Sequence, residues 1–330
     1  MVFIARDSSG STLEVLRPGI CAIGSAAFLL ILNLILVGCG GAWHRHWPKP
    51  DEYRPTAYEL HSVPFYSQKD HQCGPAALAM TLEWSGIPAT PDQLTPEVYT
   101  PSRKGSLQSA MIAAARRHGR VAYPISGPDI MLEELAAGHP VIVLQNLGFW
   151  WYPVWHYAVV VGYDLDKSTV ILHSGADPTK RVSLKGFHRT WARSDYWGLL
   201  VLPPTTMPAT ATERTYVSAV LGLEKAHQWQ AAVDGYHTAL ARWPDSLGAR
   251  IGLGNSYYAL GNLASAEAAF SEATRRFPTN GSAFNNLAQV LWEQGKQEDA
   301  LQAARKAVEL GGPLVDVYRK TLQDIQAGRP

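Results

Sequence analysis

Cys73 stands directly before a Gly-Pro step in "VPFYSQKDHQCGPAALAM", residues 63–80, and the residues after Pro75 are good helix formers. Proline is tolerated in the first turn of a helix, where its missing N–H would have no partner, so a helix should begin at or beside Cys73. The unpaired N–H groups and positive dipole at such an end favour a thiolate. One of those N–H groups can also donate to an oxyanion, and Gln68, five residues earlier, offers a second donor. An imidazole able to take the thiol proton must come from a distant, rigid element. His156 opens the run "HYAVVVGYD", where period-two alternation would hold its side chain on one face of a strand. Cys73, His156 and Gln68 are thus the elements of Cys-His acyl transfer, which needs neither a metal ion nor an organic cofactor. A buried, inert thiol is the other reading of Cys73.

The elements that must position these residues lie between Ser62 and about Pro203. Residues 75–86, 106–118 and 129–138 have helical composition and spacing. They precede "PVIVLQN" (140–146), "HYAVVVGYD" (156–164), "STVILHS" (168–174) and "YWGLLVLPP" (196–204), each a β-branched or aromatic run bounded by turn residues. Helices before strands, rather than alternating with them, favour an α+β domain with a mostly antiparallel sheet. Between the first two strands, "NLGFWWYPVWHY" (146–157) surrounds His156 with aromatics. Core and loop packing accounts for most of them, and Trp150, Trp151 or Trp155 would wall a substrate groove beside the base.

Lys and Arg total 29 against 28 Asp and Glu, so no basic field draws the chain to nucleic acid. There are three cysteines, Cys21, Cys39 and Cys73. "ICAIGSAAFLLILNLILVG", residues 20–38, follows Arg6 and Arg17 and reads as an export signal, with a membrane span as the alternative. Leu36-Val37-Gly38-Cys39 resembles a lipobox, which would make residues 1–38 a lipoprotein signal peptide and Cys39 the lipidated N-terminus. In an uncleaved span Cys39 would be incidental. Residues 39–61 are rich in Gly, Pro and charge and read as a tether, in which His44 and His46 lack nearby carboxylates and are expected to be solvated rather than metal-bound.

"LPPTTMPATATE" (202–213) has almost nothing to bury and marks a boundary, with 204–212 as linker. Beyond it Pro244 and Pro278, Gly261 and Gly295, and the series Ala232, Ala266 and Ala300 repeat every 34 residues, the tetratricopeptide period. Small residues at Gly254, Ala266 and Ala300 would let paired helices approach while aromatics fill the gap. Residues 213–330 should therefore form three helical pairs and a capping helix near 314–327, an all-α solenoid that recruits a protein partner.

The Gln68-to-Met80 cluster, with "HYAVVVGYD" about 80 residues later, resembles papain-like bacterial cysteine peptidases related to bacteriocin-leader, double-glycine processing peptidases. The resemblance spans residues 62–203 and implies that Cys73 is the nucleophile, His156 the general base and Gln68 an oxyanion donor. In that family an Asp after the next strand orients the histidine. Here "VILHSGADP" puts His173 or Ser174 at the corresponding place, with Asp177 reachable by a bent loop. A serine or neutral histidine can accept the histidine's N–H but does not stabilise imidazolium as a carboxylate does, which would weaken or abolish activity. The expectation is an envelope peptidase acting on a peptide or protein, lipid-anchored at the outer membrane and facing the periplasm because Gly40 rather than Asp follows Cys39. The rival is a catalytically weak scaffold for envelope or exopolysaccharide assembly.

Overall fold

A computed structural model describes residues 55–68 and 72–328. The signal segment, Cys39 and the tether up to Arg54 lie outside the described residues. Strands β1 (Ala57–Glu59), β4 (Val121–Ser126), β5 (Val141–Asn146), β6 (Trp155–Asp164), β7 (Thr169–Ser174), β8 (Asp177–Ser183) and β9 (Trp197–Leu202) form one antiparallel sheet. Its order is β4-β9-β5-β6-β7-β8, and β1 pairs with the far half of β6. A small ladder joins β2 (Tyr99–Thr100) to β3 (Gly105–Ser106). The inner strands carry continuous buried runs, Ala158 to Tyr163 on β6 and Leu199 to Leu202 on β9, because helices and neighbouring strands exclude water from them.

Helix α1 (Cys73–Trp84) packs on β6 and is buried from Gly74 to Leu82. A helix covered on all sides is apolar on all sides, which explains the unbroken "AALAM". Leu78, Met80 and Leu82 are fully buried, each worth roughly 1.5–3 kcal/mol by transfer, so the head of α1 is pinned by the core behind it. Cys73 is the first helical residue and Pro75 the third, inside the first turn where no N–H is needed. A Cβ on Gly74 would lie 2.3 Å from Ser106 Oγ, so only glycine lets β3 close over the helix start. Helices α2 (Pro91–Val98), α3 (Gln108–Arg117) and α4 (Pro128–Ala136) complete the helical part, and α5 (Leu184–Trp191) covers β5 and β8.

Helices α6 (Glu213–Lys225), α7 (Trp229–Arg242), α8 (Leu247–Ala259), α9 (Leu263–Arg276), α10 (Gly281–Glu293), α11 (Gln297–Leu310) and α12 (Val315–Gln326) pair in sequence, as the repeat period implies. A Cβ on Gly254 would meet the Phe270 ring at 2.4 Å, so the aromatic of α9 fills the space that glycine leaves on α8.

The linker, 204–212, is held by polar rather than apolar contacts. Glu134, fully buried on α4, accepts from Thr210 N–H at 2.8 Å, from Ala209 N–H at 3.1 Å and from the Thr210 hydroxyl at 2.6 Å. His139 Nδ1 lies 2.7 Å from the same carboxylate. Tyr216 on α6 donates to the Pro204 carbonyl at 2.9 Å, and Tyr123 on β4 meets Thr215 at 2.7 Å. Backbone N–H groups without local partners found a buried carboxylate instead of water, so this apolar-poor segment is fixed to the sheet domain.

Candidate active site

His156 and Gln145 are cross-strand neighbours on β6 and β5, near the open end of the sheet. Cys73 heads α1, and Gln68 lies on the segment leading to it. All three line one cavity of about 980 Å³, with Ser106, Trp155, Tyr157 and Gly175 also on its wall. Gln68 is clamped at both ends of its amide. Its Oε1 accepts from Gly175 N–H at 2.9 Å, its Nε2 donates to the Tyr157 carbonyl at 3.3 Å, and its own N–H donates to the Gly175 carbonyl at 2.8 Å. The second Nε2 hydrogen has no partner among the described residues, which leaves it available to a ligand oxygen.

Of the three candidates for the group behind His156, Ser174 is the one that bonds to it. Ser174 Oγ lies 2.9 Å from His156 Nε2. His173 is buried edge-on to Phe65, with ring centroids 5.6 Å apart. Asp177 begins β8 opposite Ser174, is exposed, and spends its carboxylate on Thr179 N–H at 2.9 Å rather than on the imidazole. Of the tryptophans, Trp155 lines the cavity and is 50% exposed. Trp150 and Trp151 do not wall it. They stand at the tip of the β5–β6 hairpin, 86% and 66% exposed, and Phe149 stacks on Trp151 at 5.2 Å.

Burial raises the Cys73 thiol pKa, against the opposing pull of the Tyr157, Gly74 and Cys73 backbone N–H groups. Burial, and then the positive charge of Lys180 on β8, push His156 down to about 4. At neutral pH the resting pair is therefore thiol and neutral imidazole. With Ser174 on Nε2, the free Nδ1 is the atom left to take a proton.

Sequence reasoning did not find Lys180, the Tyr157 N–H or Ser106, whose buried hydroxyl has no partner among the described residues. Lys180 sits in "DPTKRVS", which carries no strand signal, and the other two become visible only once β3 and β6 meet the head of α1.

Comparison with known proteins agrees with this architecture. The profile of the Peptidase_C39 like family matches residues 60–197, and a tetratricopeptide-repeat profile matches 219–280 and 251–313. The chain thus carries a C39-peptidase-like domain followed by tetratricopeptide repeats. A Bacillus anthracis protein assigned as a C39-like peptidase is similar at 18% identity, over 44% of this chain and 97% of that one, with a TM-score of 0.38. The Yersinia enterocolitica type III secretion chaperone SycD, in complex with a peptide of the translocator YopD, is similar at 16% identity over 35% of this chain and 92% of that one, TM-score 0.33. YrrB, described as a tetratricopeptide protein with an unusual peptide-binding site, is 25% identical over 36% of this chain and 60% of that one, TM-score 0.32. No curated protein matches the chain.

Proposed function

We propose that the protein is an envelope-anchored cysteine peptidase in which Cys73 attacks a peptide carbonyl and the repeats recruit the substrate or its carrier. One observation carries the reading: Gln68 and Cys73, close in sequence, and the distant His156 line a single cavity of about 980 Å³. His156 Nδ1 takes the thiol proton as the S–C bond forms. The oxyanion is held by the Cys73 N–H and the free Gln68 Nε2 hydrogen. The imidazolium then protonates the leaving amine as the C–N bond breaks, and a water activated by His156 cleaves the thioester and restores the thiol. Because the resting pair is neutral, His156 works as a general base during attack rather than by storing a thiolate.

Lipidation at Cys39 would hold this domain at the periplasmic face of the outer membrane. Loss of metabolic fatty-acid labelling in Cys39→Ser is the expected result, and an unlabelled parent chain that still begins at Met1 contradicts the anchor. Peptidase action is tested by comparing new N-termini in envelope fractions from cells carrying the parent and Cys73→Ala. A set of termini present only with the parent is expected. Identical sets favour the second reading, a peptidase-fold scaffold, for which the depressed imidazole and the serine at its back are the supporting observations.

A further inference from the structure

His156 is the partition between two cavities. Behind it, on the side away from Cys73, a cavity of about 360 Å³ is lined by His156, Ser174, Lys180 and Arg189 together with the apolar Leu172, Val182 and Phe187. Ser174 lines this rear cavity and is only 4% exposed. Among the described residues its hydroxyl has one hydrogen-bond partner, His156 Nε2. If the imidazole donates from Nε2, the tautomer that leaves Nδ1 basic, the serine accepts and its own hydrogen has no acceptor among the described residues. If the serine donates instead, the imidazole proton sits on Nδ1 and the base faces the wrong way. In the first case only cavity solvent can take the serine hydrogen, whereas in the second the serine bonds the imidazole directly, which biases the unliganded site toward the unproductive tautomer.

Beside the neutral Gln145, Ser183 and Thr190, the cavity carries two cations. Lys180 and Arg189 form no ion pair with any described carboxylate, and Lys180 is close enough to His156 to repel its protonated form. The site thus presents a donor with nothing to accept it, two uncompensated cations and a short apolar floor. We propose that this rear cavity binds a carboxylate with a short apolar body, whose anionic oxygen accepts from Ser174 between Lys180 and Arg189 and so sets His156 in the tautomer that can serve as base. The bound anion completes a His156–Ser174–carboxylate chain that the polypeptide alone leaves open. Such a ligand switches the site on from behind without entering the cavity of Cys73. The inference rests on the catalytic reading for its consequence, not for its binding chemistry.

The test uses the full chain with ¹⁵N-labelled histidine at pH 7, the His156 signal being assigned by its loss in His156→Gln. Chloride is replaced by acetate or isovalerate at constant ionic strength. The expected result is a saturable movement of the His156 ¹⁵N shifts toward the Nε2–H tautomer, with isovalerate acting at several-fold lower concentration than acetate because of the apolar floor. In Lys180→Gln with Arg189→Gln, which leaves the melting temperature close to the parent's, the response should vanish. No response to either acid, or the same response in the double variant, overturns the proposal. Neither readout requires hydrolysis, so an inactive peptidase with a working rear site remains distinguishable from an active one without it.

Discussion

Placing a carboxylate where Ser174 stands, by Ser174→Asp, is the most direct perturbation of the base. Ser174 Oγ is 2.9 Å from His156 Nε2, and the cavity behind it gives the larger side chain room. Two unit charges about 4 Å apart attract by roughly 4 kcal/mol at an effective dielectric of about 20, or about 3 pKa units at 1.36 kcal/mol each. Opposite charges at such range commonly raise a partner's pKa by about 1–3 units. The new carboxylate would also offset the repulsion from Lys180. His156, now held at about 4, should therefore move into the range of about 5–7. The sign follows from its role: His156 must be neutral to take the thiol proton, so the acid limb of kcat/KM moves upward by the same amount. Above that limb a more basic imidazole works closer to its operating pH, and the rate rises. The assay is the pH titration of the labelled His156 resonance in parent and variant. A variant that melts like the parent but keeps its imidazole near 4 would refute the electrostatic account of this site.

Gln68→Ala should lower kcat by about 10²–10³-fold if its free Nε2 hydrogen meets the oxyanion, with a smaller change in KM, as steady-state kinetics would record. Glu134→Ala leaves two linker N–H groups and a hydroxyl without their acceptor and should cost about 2–4 kcal/mol in urea unfolding. Burial pushes the Glu134 carboxyl up, but the bonds from His139 and Thr210 outweigh it and hold the group below its ordinary range. Its contribution is therefore complete above the unfolded carboxylate value and is lost as pH falls through the folded one, so acid unfolding of the parent should steepen below about pH 4 while that of Glu134→Ala does not. In the solenoid, Gly254→Ala must push Phe270 aside and should cost about 1–3 kcal/mol in thermal unfolding of the repeat region.

Much of this fold was legible because its signals are local. The 34-residue period predicts the helical pairs, and β5, β6, β7 and β9 carry the apolar runs of strands buried on both faces. The strands that escaped are the edges. β4 holds Pro124, which an edge strand tolerates because it pairs only with β9, and β8 is polar because almost all of it faces solvent. That second case hid Lys180, and with it the positive charge that, after burial, lowers the His156 pKa. The anchoring of the linker was hidden for a related reason. Its composition has nothing apolar to bury, yet its backbone donors meet Glu134, a partner 75 residues away that no local pattern announces. At the site, the spacing of Gln68 and Cys73 pointed to one cavity, whereas the choice among His173, Ser174 and Asp177 needed the pleat of β7 and the start of β8 to be known.

The central claim is that His156 makes Cys73 a nucleophile. It is tested by the rate at which an uncharged peptidyl acyloxymethyl ketone labels the full chain at pH 7, with the modified cysteine located by mass spectrometry. The account predicts stoichiometric labelling at Cys73 that slows by about 10²-fold or more in His156→Ala, the range expected on removing a positioned general base. Labelling of Cys73 at the rate of an ordinary free thiol, unchanged in His156→Ala, would contradict it.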